Sequence, residues 1–435
     1  MVGFRFRAYF QSFVYMANVP FRQASAQDRR ARLDNLRERL LMPCDNIIVG
    51  GAVSLGRLSP RAVREDAMVG DIAAIQALIT SDKSWYLLPM CVLGYLGSLF
   101  QWSAGTVFIV NFLGMIPLAR ILGDCTEELA AGLRNDTAGA LLNATFGNAV
   151  EMIITYQTIA AGLVTVTKCS LLGSILSNLL LVLGGSFFFG GIGRLGKEQE
   201  FKESGPLVSM SMLLLTCIAF AVPTVIAYTV PTEGGQSTSL SVSRIGSVSV
   251  LLSYAALLLY QLYTHRVEDS QESGSNATMS VKASGALLLV TTLITTVCSS
   301  AVVACIEGVV DQWGVSQGFI GIVLLPVIGN ACEHVSAIRM AMHDKPLLAI
   351  GIAVGSSCQI AMFVIPIAVI VGWVLGVPMD LNFNVLNLVI LAFAVMIVSI
   401  ILVDGKSTWI EGFMLMMAYF IVAAAYWFDE ATAFS

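Results

Sequence analysis

The sequence predicts an all-α polytopic membrane protein of about 11 transmembrane helices, built as an inverted five-plus-five repeat with an extra first helix. Three observations predict it. Of the 435 residues, 56% are hydrophobic and only 12% charged, with mean hydropathy +0.79, whereas a soluble chain carries about 25% charged residues. Beyond Lys83 the apolar residues fall into eleven segments, each long enough to cross a bilayer, the first only just. Short stretches of the first half also recur in the second at a constant offset.

Residues 1–83 come first. They hold 12 of the 24 Lys and Arg but only 8 of the 29 Asp and Glu, so a basic head precedes an acidic body. Lys and Arg are retained on the side where translation occurs, which predicts a cytosolic N-terminus. Arg5, Arg7 and Arg22 stand among aromatics before the first acid, Asp28, a pattern nearer a transit peptide than a signal peptide. Residues 23–42 place Leu33, Leu36, Leu40 and Leu41 at helical spacing among charges, and a cytosolic amphipathic helix is the preferred reading. The apolar stretch Ile47–Leu55 is too short to span. No basic run is long enough to suggest nucleic-acid binding. Most of the nine cysteines, Cys91, Cys217, Cys298, Cys305, Cys332 and Cys358 among them, lie in apolar runs and read as small hydrophobes.

The apolar segments lie near 85–100, 104–123, 139–161, 169–192, 206–229, 243–263, 285–309, 316–339, 347–375, 384–403 and 409–428. With a cytosolic N-terminus, Arg134, Arg194, Lys197, Lys202, Arg266, Lys282, Arg339, Lys345 and Lys406 fall in cytosolic loops. The opposite loops hold only Lys168 and Arg244, an asymmetry of the positive-inside kind. The expected regions are therefore a basic N-terminal region (1–83), a first transmembrane half (84–263), an acidic cytosolic linker (264–284) and a second half (285–435). The sequons at Asn135 and Asn276 are expected to be cytosolic and unused.

The repeat carries the functional reading. TFGNAVEMI at 145–153 matches VIGNACEHV at 327–335, so that Gly147 meets Gly329, Asn148 meets Asn330 and Glu151 meets Glu333, each 182 residues apart. The same offset takes Gly173 and Ser174 onto Gly355 and Ser356, and a two-residue gap takes Glu127 onto Glu307. The two acidic helices are the third and eighth spans, so they cross in opposite directions. Inverted repeats place the transported ion near the midplane, where the repeats meet.

An acid at the centre of a span costs about 2.5–3.5 kcal/mol on insertion scales, so it needs a partner, a proton or an ion. Glu151 and Glu333 are such acids, at repeat-equivalent positions. Gly147 and Gly329 tolerate unwinding, which exposes carbonyl oxygens, and Asn148 and Asn330 add amide oxygens on the face of the acids. Ser174, Ser177, Asn178, Ser356, Ser357 and Gln359 are polar positions in apolar helices and read either as lining of the same cavity or as helix–helix glue. Two carboxylates with several neutral oxygens suit a hard divalent cation that takes about 6–8 oxygen ligands. Without the cation, two buried like charges repel and both favour protonation. Cation and protons then compete for the same oxygens, and that competition is exchange. Glu127 and Glu307, near span ends, are candidates for ion entry or proton relay, while Glu128 reads as a solvated helix end. His334, beside Glu333 but about 100° away round the helix, reads as a packed histidine or a proton handler.

GNAVE at 147–151, GNACEH at 329–334, GSILSNLLLVLG at 173–184 and CTEELA at 125–130 resemble the Ca²⁺/proton exchanger (CAX) family of the cation/Ca²⁺ exchanger superfamily, over residues 83–428. The resemblance implies a vacuolar-type exchanger of eleven spans with Ca²⁺ and protons as substrates; Mn²⁺, which also accepts oxygen ligands, is a second candidate cation. It also implies Glu151 and Glu333 as ion ligands, His334 in the second motif and a cytosolic loop after the sixth span; no cofactor is expected, and proton-driven loading calls for an acidic compartment, a vacuole or a calcium-storing equivalent. The linker carries only Glu268, Asp269 and Glu272 where the family often has a longer acidic run. A Na⁺- or K⁺-coupled Ca²⁺ exchanger and a cation channel remain the alternatives. An enzyme is disfavoured: Asn330 interrupts H-x-x-E-H, and Glu198 replaces the Ser or Thr of a phosphate loop in GIGRLGKE.

Overall fold

The computed structural model describes residues 60–133, 136–192, 198–201, 204–230, 233–264 and 278–428. The expected helix at 23–42, the transit-like segment, most of the acidic linker and the sequons at Asn135 and Asn276 lie outside the described residues.

The first described helix is α1 (Pro60–Thr80), and proline sets the start of the next, α2 (Pro89–Leu99), where its missing N–H would have had no partner. A 3₁₀ turn, Lys83–Leu87, joins them. The 11 residues of α2 rise about 16 Å, roughly half of a 30 Å hydrocarbon core. The expected first span is therefore a short helix, stopped where Gln101 turns left-handed at φ 53°. Ser103 then caps α3 (Ala104–Gly132), its hydroxyl accepting from the Thr106 N–H.

The next expected span is broken into α4 (Asp136–Phe146) and α5 (Ala149–Ala160), and is followed by α6 (Val164–Ile192), α7 (Ser204–Thr229) and α8 (Glu233–Leu259). The second half repeats the order. It consists of α9 (Val281–Trp313), a pair α10 (Gln317–Gly329) and α11 (Ala331–Met342) bent by 60°, α12 (Pro346–Leu375), α13 (Val385–Leu402) and α14 (Trp409–Trp427). Among the described residues, eight helices are long and apolar enough to cross a membrane, or nine with the bent pair counted as one. With α4–α5 and the short α2 they match the eleven apolar segments in order. The described sheet is a two-residue antiparallel pairing of β1 (Gln199–Glu200) with β2 (Lys406–Ser407).

Side-chain contacts sort the connections onto two faces, as alternating crossings require. On one face Lys406 pairs with Glu198, Gln199 donates to the Ala341 carbonyl, and Glu128 accepts from Thr278. On the other, Lys168 pairs with Asp380, the Gln312 side chain accepts from the Gly105 N–H, and Ser316 donates to the Tyr426 carbonyl. The first face carries the loops expected to be cytosolic.

The repeats cross closely at α6 and α10. Pro326 donates no hydrogen bond to the Ile322 carbonyl four residues earlier, and that oxygen instead faces Gly173, where a Cβ would stand only 2.4 Å from it. The reciprocal contact is Gly321, where a Cβ would meet the Cys169 Cβ at 2.5 Å. The bare backbones bring the polar middle of α6 against the break between α10 and α11.

Candidate functional site

Both breaks fall on the repeated Gly-Asn pair. Asn148 (φ −114°, ψ 35°) and Asn330 (φ −90°, ψ 15°) leave the helical well, and α5 and α11 restart on the following alanine. Glu151 and Glu333 thus become the third residues of half-helices. There the first backbone N–H groups of each half-helix lack a carbonyl partner within it, and the positive end of the helix dipole lies beside the acid. The facing ends of α4 and α10 present carbonyl oxygens, which suit a cation.

Glu151 is 5% exposed, and its Oε1 has no hydrogen-bond partner; Oε2 of Glu333 is likewise buried and unpaired. The Glu151 carboxylate lies directly on Gly329, where a Cβ would stand 2.5 Å from Oε1. Only a glycine admits this approach, so the acid of one repeat rests on the break of the other.

A polar network ties the breaks to the long helices of the opposite repeat. The Asn148 amide donates to the Gln359 Oε1 at 2.6 Å, and the Ser356 hydroxyl donates to the Asn148 Oδ1 at 3.0 Å. Asn178 donates to Ser356 at 2.9 Å and to the Asn330 Oδ1 at 3.4 Å, and the Asn330 amide donates to the Ser174 carbonyl at 3.2 Å. The two asparagines therefore face repeat-equivalent partners, Ser356 and Ser174. Each long helix carries a π-turn here, Ser177–Val182 in α6, which contains Asn178, and Ile360–Val364 in α12, directly after Gln359. Such turns re-aim side chains and occur frequently at functional sites.

A cavity of about 550 Å³ reaches this point from the face of the expected cytosolic loops. Met340, Leu347 and Leu348 line its outer part, while Gly147, Asn148, Glu151, Gly329, Glu333, Ser356 and Gln359 line its depth. Glu127 lines it as well. On the far side Ile154, Val166, Leu325 and Ile328 pack into an apolar cluster with Met115 and Leu118.

The other sequence candidates stand apart from the cavity wall. Asn330, Ser174 and Asn178 form the network behind it, and Ser177 is fully buried with its hydroxyl unpaired. The Nδ1 of His334 sits 2.6 Å from the Asn330 carbonyl, so the ring braces the break rather than the cavity. Ser357 bonds the Ala353 carbonyl within its own helix. Glu307 is exposed on α9 and is not brought to the cavity. Glu128 accepts from the Thr278 N–H and hydroxyl and from the Met279 N–H, just ahead of α9.

Among the lining residues that carry a heteroatom in the side chain, Asn143, Cys332 and Ser336 were not sequence candidates for the site. Their signal was present, because Asn143 lies two helical turns before Glu151 and Ser336 one turn after Cys332. Among the described residues no three His, Cys, Asp or Glu side chains converge as a metal cluster. Two carboxylates with amide and carbonyl oxygens nearby are the donor types that suit a hard cation.

Comparison with known proteins agrees with this architecture. The family described as sodium/calcium exchanger protein matches residues 103–263 and 283–428. Vacuolar cation/proton exchanger 3 of Arabidopsis thaliana is 38% identical over 375 residues, 82% of each chain. Vacuolar cation/proton exchanger 3 of Oryza sativa subsp. japonica is 38% identical over 371 residues, 82% of this chain and 88% of that one. The structure of native YfkE superposes with TM-score 0.68 at 36% identity, covering 79% of this chain and 99% of that one. The crystal structure of the H⁺/Ca²⁺ exchanger CAX shares the fold, with TM-score 0.60 at 15% identity over 79% and 91% of the two chains. The chain is a transporter rather than an enzyme, and it belongs to the sodium/calcium exchanger family, among its cation/proton exchangers.

Proposed function

We propose that the protein is a proton-driven antiporter that moves Ca²⁺, with Mn²⁺ as a second cargo, from the cytosol into an acidic organelle of vacuolar type. One observation carries the reading: a single cavity ends on both Glu151 and Glu333, each at a helix break and each with an unpaired carboxylate oxygen. Ca²⁺ entering from the expected cytosolic face neutralises the two carboxylates, and amide and carbonyl oxygens complete its shell. On the acidic side protons take its place on the same oxygens. Two protonated acids, or two acids holding a cation, leave the repeat interface uncharged and free to reclose. Glu127 draws cations into the cavity. The relatives named cation/proton exchangers and the solved structure of the Ca²⁺/H⁺ antiporter protein YfkE, 33% identical with TM-score 0.67, support the same coupling.

The test is Ca²⁺ uptake into sealed vesicles that contain the protein and are acidic inside, with and without a protonophore. Uptake should collapse with the pH gradient and be absent in Glu151→Gln and Glu333→Gln. Uptake that survives both substitutions, or that follows a Na⁺ or K⁺ gradient instead, sinks the proposal and leaves a differently coupled exchanger or a channel.

A further inference from the structure

Arg244 is a charged side chain that the transport site does not use. Charge asymmetry along the chain places it in a loop, but in the structure α8 begins at Glu233, so Arg244 stands about three turns inside a helix. The composition of α8 changes at this point. QSTSLSVS at 236–243 is polar, and from Ile245 onward the helix is mostly apolar. Packing sets the same level. The neighbouring Ser243 accepts from the Leu381 N–H, and the adjoining Asp380 pairs with Lys168 on the face opposite the cavity mouth. Arg244 therefore lies where that face meets the hydrocarbon.

A cation at this depth calls for an anion, and an ionisable group at a membrane span is expected to have a partner. Among the described residues Arg244 makes no ion pair, and its Nε is buried without a hydrogen-bond partner. Asp380, the acid at the same level, is already held by Lys168 and by the Asn382 N–H. What Arg244 does meet is Trp373, near the end of α12: its guanidinium carbon lies over the indole, 4.7 Å from the ring centroid. A ring attracts the charge but offers no acceptor for the five N–H donors of the planar fork. The surroundings are an exposed apolar perimeter, with Trp373 54%, Ile245 69% and Val374 81% exposed.

We infer that Arg244 and Trp373 form a seat for the headgroup phosphate of an anionic phospholipid, in the leaflet opposite the cavity mouth. Phosphate oxygens match the guanidinium fork, and tryptophan favours the level of the headgroups. The exposed apolar side chains beside the pair give the acyl chains a surface, which a free phosphate ion would not use. Asp380 is neutralised by Lys168, so it recruits no ammonium of a zwitterionic headgroup, and the anionic lipid is preferred. The seat lies on α12, the helix that also carries Ser356 and Gln359 of the ion site. It goes beyond the transport reading and does not depend on which cation is carried.

The test uses the full chain in phosphatidylcholine vesicles, with acyl-brominated phosphatidylglycerol as the probe. Bromine quenches tryptophan fluorescence on contact, and the Trp373 signal is the difference between wild type and Trp373→Phe. That signal should be quenched at a lower mole fraction of brominated phosphatidylglycerol than of brominated phosphatidylcholine. Arg244→Gln should raise the fraction needed for half-quenching about fivefold, the worth of one basic group at an anionic membrane surface. Equal quenching by the two brominated lipids overturns the inference, and this comparison needs only the native Arg244 should Arg244→Gln fail to fold. An unchanged half-quenching fraction in folded Arg244→Gln overturns it as well. Relief of quenching by inorganic phosphate at constant ionic strength would mark a site for soluble anions instead, and no quenching by either lipid would mean that protein covers the seat; both outcomes sink the lipid assignment.

Discussion

Replacing Gly329 with alanine separates the function of the site from the stability of the fold. The new Cβ would lie 2.5 Å from the Glu151 Oε1, 3.0 Å from Cδ and 3.3 Å from Cγ. Ordinary contact begins at 3.4 Å, so the carboxylate must withdraw by the difference of 3.4 and 2.5 Å, about 0.9 Å. The atoms in the way are the end of a flexible side chain, which swings aside at small cost. Alanine also gains up to about 1 kcal/mol over glycine at a helical position. Stability should therefore hold within about 1 kcal/mol. Transport should not, because misplacing a reacting group by about 1 Å costs on the order of 100-fold. The assay is the initial rate of proton-driven Ca²⁺ uptake, run beside thermal unfolding in detergent. Gly285→Ala, on α9 with no heavy atom within 4 Å, controls for the helical substitution itself. Wild-type uptake by Gly329→Ala would refute the reasoning, and so would uptake and unfolding temperature falling together.

Gly173→Ala makes the opposite case. Its Cβ would meet backbone, the Ile322 carbonyl oxygen at 2.4 Å and Cα at 2.6 Å, which cannot swing away. Overpacking of about 1–3 kcal/mol is expected, read as a lowered unfolding temperature. The repeat-equivalent Gly355→Ala, with nothing within 4 Å, should leave that temperature unchanged, and equal effects at both positions would contradict the close crossing. Outside the spans, Asp71 accepts from the Ser280 N–H and hydroxyl at the start of α9, and these bonds hold its carboxyl below the ordinary value of 3.8. A lowered folded-state value means the contribution is full above the ordinary value and fades only as pH falls through the lowered one. Amide-exchange protection of residues 278–284, corrected for intrinsic rates, should thus be the same at about pH 7 and pH 5. It should be reduced in Asp71→Asn at both, and loss of wild-type protection by about pH 5 would reverse the assignment.

Much of the site was legible in the residues because the repeat is nearly symmetric in sequence. Gly147, Asn148 and Glu151 find their counterparts at a fixed offset, and an acid in hydrocarbon demands an explanation wherever the chain folds. The same chemistry announced the breaks, since Gly-Asn is a poor continuation of a helix. The partners of Asn148 were not legible. Gln359 and Ser356 lie more than 200 residues away, and only the packing of one repeat on the other brings them to it. Nor was the closeness of Glu151 to Gly329, because nothing along the chain ties an acid to a glycine in the opposite half.

By itself the sequence determined an apolar, all-helical chain, its division into two inverted halves, and the pair of acids at their centres. Hydrophobic run length and the cost of a buried charge act locally, so they can be read residue by residue. Tertiary structure alone decided which of two equivalent acids near the span ends meets the cavity, and it chose Glu127 over Glu307. An inverted repeat offers the same ligands to both faces. In this structure the cavity opens toward one face and packing on the other closes the equivalent route, so a symmetry present in the sequence is broken in space.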